Sequence, residues 1–133
     1  MKQILILLVA VICFSCNSDD DGNVNYSFNP PSWIQGSWYT AELSIEGVKF
    51  TSDDFCTITN ANQTCYKALI AQADDTITVD NQQSTDNDYT FVVVYLGEPG
   101  VEKDKYFYFR KLSETQIASV GEDGETLDIY TKH

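Results

Sequence analysis

An all-β domain, folded as an antiparallel meander of about eight strands that closes as a barrel or splits into a sandwich, is the architecture this sequence predicts. Three observations predict it. From Trp33 onward apolar and polar residues alternate with period two. Short clusters of Gly, Asn, Asp and Glu separate the alternating runs. No sustained helical period interrupts them.

Each element has its own warrant. Residues 37–45 place Tyr39, Ala41, Leu43 and Ile45 on one face. Further runs follow at 48–51, 54–59, 64–71 and 75–79, where Ile77 and Val79 alternate with Thr76 and Thr78. The last are 89–96, 105–112, 115–120 and 125–131. Turn signals fall at Glu46 and Gly47, at Asn60 to Asn62, at Asp74 and Asp75, over the polar stretch 80–88, over 97–100, and at Glu122 to Gly124. Between Tyr66 and Gln72, Lys, Ala, Leu and Gln also suit a helical turn. The most unusual patch is aromatic. Tyr89, Phe91, Val93 and Tyr95 share one face while Val92, Val94 and Leu96 share the other, and Phe107 and Phe109 alternate with Tyr106 and Tyr108. Apolar character on both faces fits a central strand pair covered on both sides, or a Tyr-rich recognition surface.

Four cysteines carry compartment information. Taking Asn60 and Ala61 as a two-residue hairpin turn puts Cys56 opposite Cys65 at a non-hydrogen-bonded pair, which a disulfide can bridge. A redox or metal role lacks a C-x-x-C spacing or a nearby His.

The N-terminus reads as an export signal. Met1 and Lys2 begin it, Ile4 to Phe14 form an apolar run too short to span a bilayer, and Ser15 precedes Cys16. This resembles a bacterial lipoprotein signal, which implies cleavage after Ser15 and acylation of Cys16 by palmitate and similar chains. Ser18, Asp19, Asp20 and Asp21 resemble the acidic sorting tag of Bacteroidota lipoproteins, which implies an outer-membrane protein anchored by lipid and exposed at the cell surface. The expected organisation is a signal peptide at 1–15, a lipidated tag and flexible tether at 16–32, and one β-barrel domain at 33–133.

The start of that domain, Gly36, Ser37 and Trp38, resembles the Gly-x-Trp opening of the lipocalin and fatty-acid-binding superfamily. Tyr106 to Ile117, with Ile129 to Lys132, resembles the final strands of small lipocalin-like lipoproteins of Bacteroidota. The resemblance implies a meander barrel with Trp38 plugging one end and a basic residue from a late strand packed on it, Arg110 first and Lys132 as a lesser substitute. A full lipocalin carries a flanking helix, for which this chain leaves no room.

Composition narrows function. Twenty Asp and Glu against eight Lys and Arg give a net charge of −12. Lys103 and Lys105, the nearest approach to a basic cluster, sit among Glu102 and Asp104, so nucleic acid is not an expected partner. The only histidine is His133, which disfavours His-based nucleophile and metal chemistry. No phosphate-binding loop is present. A protein that acts by binding, without catalysis, cofactor or metal, is therefore expected. Its ligand would be small and apolar or amphiphilic, held in a barrel mouth with Trp38, Tyr39, Phe91, Phe107 and Phe109 as wall candidates. The competing class is a protein-interaction module, an inhibitor, immunity protein or subunit of a surface complex, working from loops 80–88 and 97–104.

Overall fold

The computed structural model describes residues 27–40, 45–97 and 104–133. The signal, Cys16, the sorting residues Ser18 to Asp21, Ala41, Leu43 and most of the 97–104 connection lie outside the described residues. The described chain forms nine antiparallel strands in one sheet, curled into a lipocalin-like half-barrel, with one short helix. A first run comprises β1 (Gly36–Thr40), β2 (Gly47–Phe50), β3 (Phe55–Thr59) and β4 (Asn62–Cys65). Helix α1 (Tyr66–Gln72) leads to β5 (Ile77–Ser84), β6 (Asp88–Tyr95), β7 (Asp104–Lys111), β8 (Gln116–Val120) and β9 (Thr126–Lys132). The spatial order is β4-β3-β2-β1-β9-β8-β7-β6-β5. β1 and β9 therefore pair in mid-sheet, and α1 packs against β3 and β5 near the two open edges. One continuous sheet excludes the sandwich.

Alternation sets what the curl encloses. Trp38, Val48, Phe50, Phe55, Val79, Tyr89, Phe91, Val93, Phe109 and Ile117 are all buried on the concave face. Phe55 is the hub. The rings of Phe50, Tyr66, Phe91 and Phe107 lie 5.1, 5.3, 5.1 and 4.9 Å from it. Such pairs contribute roughly 0.5–1.5 kcal/mol each beyond area burial. Phe28 joins the cluster 5.2 Å from Phe91, so packed structure is already present within the stretch read as tether. Gln82 holds that segment in place, its side-chain amide accepting from Asn29 N at 2.8 Å and donating to Ser27 O at 2.8 Å. One side chain thus supplies two bonds of the kind an adjacent strand would make.

The expected hairpin turn is present. Asn60 and Ala61 both have positive φ, 51° and 60°, as a two-residue type I′ turn requires. Cys56 pairs with Cys65 in register, and they form a disulfide with Cα atoms 4.0 Å apart.

Three elements differ from expectation. Residues 66–72 are helical, because Tyr66 and Ile70, spaced by four, both turn into the core. Cys65 at the N-cap offers no side-chain bond. Instead Asp54, just before β3, accepts from Lys67 N at 2.8 Å and from Phe55 N at 2.8 Å, serving the helix from another element. The polar stretch from Asp80 is strand as far as Ser84, interrupted by a bulge between Asp80 and Gln83 where Asn81 has φ 52°. The turn proper is Thr85 to Asn87, and Thr85 Oγ1 accepts from Asn87 N and Asp88 N at 3.2 and 2.9 Å. Finally, Lys132 and not Arg110 lies over Trp38, its Nζ 4.9 Å from the ring. Antiparallel register explains this, since Trp38 pairs with Lys132. Arg110 is on the convex face, stacked on Tyr108 and paired with Asp88 at 3.0 Å.

Trp38 is 1% exposed, and its Nε1 donates to Ile34 O at 2.6 Å. Two glycines make room around it. A Cβ on Gly36, whose φ is +128°, would meet Lys132 Cε at 2.9 Å, and one on Gly47 would meet Trp38 O at 2.1 Å.

Candidate functional site

The aromatic cluster fills the half-barrel around Trp38 and Phe28, but not toward the ends of β1 and β3. There the concave positions become short and polar. Thr40 follows Trp38 by two residues, Thr57 and Thr59 follow Phe55, and Ser119 follows Ile117. Small side chains where large ones would meet leave a cleft of about 400 Å³. Its floor is Val48, Phe107, Phe109 and Tyr130, and its rim carries Thr57, Thr59, Glu46 and Asp128. That volume is within the range of small-molecule sites.

The cleft's electrostatics are one-sided. Among the described residues, Glu46 and Asp128 are its charged lining residues. Burial pushes the Tyr130 hydroxyl above its ordinary value of 10.0, and Asp128 and Glu46 nearby add to the shift while Ser119 opposes it. The phenol therefore stays protonated at neutral pH. An apolar floor, hydroxyls and carboxylates suit a molecule with an apolar body and a neutral or cationic head.

A second space, about 730 Å³, adjoins the cleft on the convex side. Both are lined by Tyr106, Phe107, Tyr108, Val120 and Leu127. They meet because β7 pairs with β8 only at Phe109, Arg110 and Lys111. The sheet is thus open between the first half of β7 and the β8–β9 hairpin.

Of the five wall candidates, Phe107 and Phe109 line the cleft. Phe91 lies behind them, 4.9 Å from Phe107, and borders the outer space. Trp38 is sealed in the core away from the cleft. Tyr39 is on the opposite face, edge-on to His133 at 5.1 Å. Thr40, Val48, Thr57, Thr59, Ser119, Asp128 and Tyr130 also line the cleft. None of these stands out in the sequence as a wall residue: strand alternation assigns a residue to a face, but only the curl of the sheet brings distant faces together. Of the proposed interaction loops, 80–84 is strand, and most of 97–104 lies outside the described residues.

Among the described residues, Asp54, Cys56 and Cys65 have metal-like spacing, with donor atoms within 4.8 Å of one another. The two sulfurs are bonded to each other and do not coordinate an ion in that state. No helix of the described residues is long and apolar enough to cross a membrane. Compared with protein-family models, curated proteins and solved structures, the chain matches none.

Proposed function

We propose that this chain is a lipid-anchored protein of the outer membrane's exposed face that binds a small amphiphilic ligand in the mouth of its half-barrel, without catalysing a reaction. The observation that carries the reading is the cleft of about 400 Å³, with Phe107, Phe109 and Tyr130 beneath and Glu46 and Asp128 on the rim. The acidic rim selects the head group. A neutral or cationic amphiphile is favoured, and a carboxylate is disfavoured by like charge. The sole histidine is packed against Tyr39, which supports binding over catalysis.

Titration with dodecylamine, dodecanol and dodecanoate tests this. Saturable binding of the first two, weaker binding of the third, and loss of binding in Thr57→Trp with circular dichroism unchanged are expected. Featureless titrations with all three would leave the protein-interaction reading in front. Anchoring has its own test. Labelled palmitate should enter the wild-type protein and not Cys16→Ser. Replacing Asp19, Asp20 and Asp21 by Ala should keep lipidation and remove accessibility to protease on whole cells. Unchanged accessibility would remove the sorting role.

A further inference from the structure

β7 is partnered along its whole length on one side only. Facing β6, it pairs from Asp104 to Arg110. Facing β8, the ladder stops at Phe109. The irregularity at Ser119 and Val120 and the turn closed from Gly124 N to Gly121 O at 2.9 Å end β8 early. Residues 104–108 therefore border the outer groove of about 730 Å³ on that side, with no strand paired to them among the described residues. An unpaired strand edge is a template for another strand.

The walls of the groove show what kind of strand fits. Tyr106 is 61% and Leu127 65% exposed, large apolar surfaces left in water on either side of it. Asp104 and Glu122 line the groove, and Asp123 and Glu125 continue the negative charge through the adjacent turn, all of them exposed. Lys105, the one cation lining the groove among the described residues, lies over the Tyr95 ring at 5.8 Å.

We propose that this groove receives an extended cationic peptide segment of a partner protein, which adds to β7 as a strand. Its side chains alternate. One set falls on the concave side beside Phe107 and is apolar. The other falls on the convex side, where Tyr106, Asp104 and Glu122 attract Lys or Arg by ring face and by charge. The main chain supplies affinity, and the acidic rim excludes acidic segments. The reading does not depend on a ligand in the neighbouring cleft.

The test is a titration of the isotope-labelled protein with a synthetic peptide alternating Lys and Val, followed by amide shifts and hydrogen exchange. Saturable binding that shifts residues 104–108 and slows their exchange is expected. Leu127→Lys and Glu122→Lys should each weaken it about tenfold. A peptide N-methylated at alternate positions, unable to pair, should lose at least as much, and one with Glu for Lys should not bind. Glu122 lines the groove and not the cleft, so Glu122→Lys should leave amphiphile binding intact while it weakens the peptide, separating this groove from the ligand site. Equal binding of the N-methylated peptide, or no effect of Leu127→Lys, would overturn the proposal. So would a concentration-dependent dimer abolished by Leu127→Lys, since the occupant would then be a second copy of this chain.

Discussion

Asp54 is the residue on which two elements depend. Its carboxylate accepts from Phe55 N where β3 begins and from Lys67 N in the first turn of α1, both at 2.8 Å. Neighbouring Asp53 pairs with Lys67 Nζ, holding its own carboxyl below the usual range. That pair is exposed and counts for little, whereas the Asp54 carboxylate serves a backbone donor in the first turn of α1, where intrahelical acceptors are lacking, and another where β3 begins. Asp54→Ala should therefore destabilise the protein by about 1–2 kcal/mol, and Asp54→Asn by less, as read by urea denaturation. Asp53→Ala should fall within about 0.5 kcal/mol of wild type in the same assay. Lys132 shows the same dependence on place over type. Arg was the better residue for packing on Trp38, but strand register and not side-chain preference decides which residue arrives there.

The β3–β4 hairpin is the element whose covalent tie matters most. β4 is four residues long, mostly exposed and at the sheet edge. Without the bridge it has one neighbour and little buried surface. The double variant Cys56→Ala, Cys65→Ala should lose about 2–3 kcal/mol by chain-entropy reasoning. Hydrogen exchange should rise first at residues 62–67, because Cys65 also leads directly into α1. Uniform loss across the sheet would contradict this local role. The hairpin was legible because its turn is two residues long, so register follows by counting outward. The neighbouring helix was not. Seven residues with two core contacts at i and i+4 also satisfy a short strand pattern, and its cap is thirteen positions upstream. The strand after it was read too short because Asp80 to Ser84 are polar, although Gln82 earns its place by bonding Ser27 and Asn29. In the site, Phe107 and Phe109 stood out as aromatic alternation. The threonines of the cleft did not, since a small polar residue on a strand looks the same lining a cavity or facing solvent.

For the whole molecule, buried phenols set an alkaline limit. Tyr66 is pushed from 10.0 up to about 12 by burial, with Tyr95 adding, and burial likewise raises Tyr89 and Tyr130. The folded state holds these protons more tightly than the unfolded chain. Their stabilising effect is thus complete below about pH 10 and is lost as pH rises from 10.0 through about 12. Unfolding in this window should coincide with a step in tyrosinate absorbance, and Tyr66→Phe should move its midpoint upward. Gradual tyrosinate formation with intact circular dichroism would show these hydroxyls open to water. The mid-sheet pairing of β1 with β9 also has a kinetic consequence. The runs before and after α1 zip from neighbours close in sequence, but Trp38, Tyr39 and Thr40 wait for Lys132, Thr131 and Tyr130. Among the described residues this is the one ladder between strands far apart in sequence, and it carries the largest loop-closure entropy. Assembly is therefore gated by the slowest encounter in the molecule, and a chain appearing N-terminus first holds two half-built ribbons until its final strand has emerged.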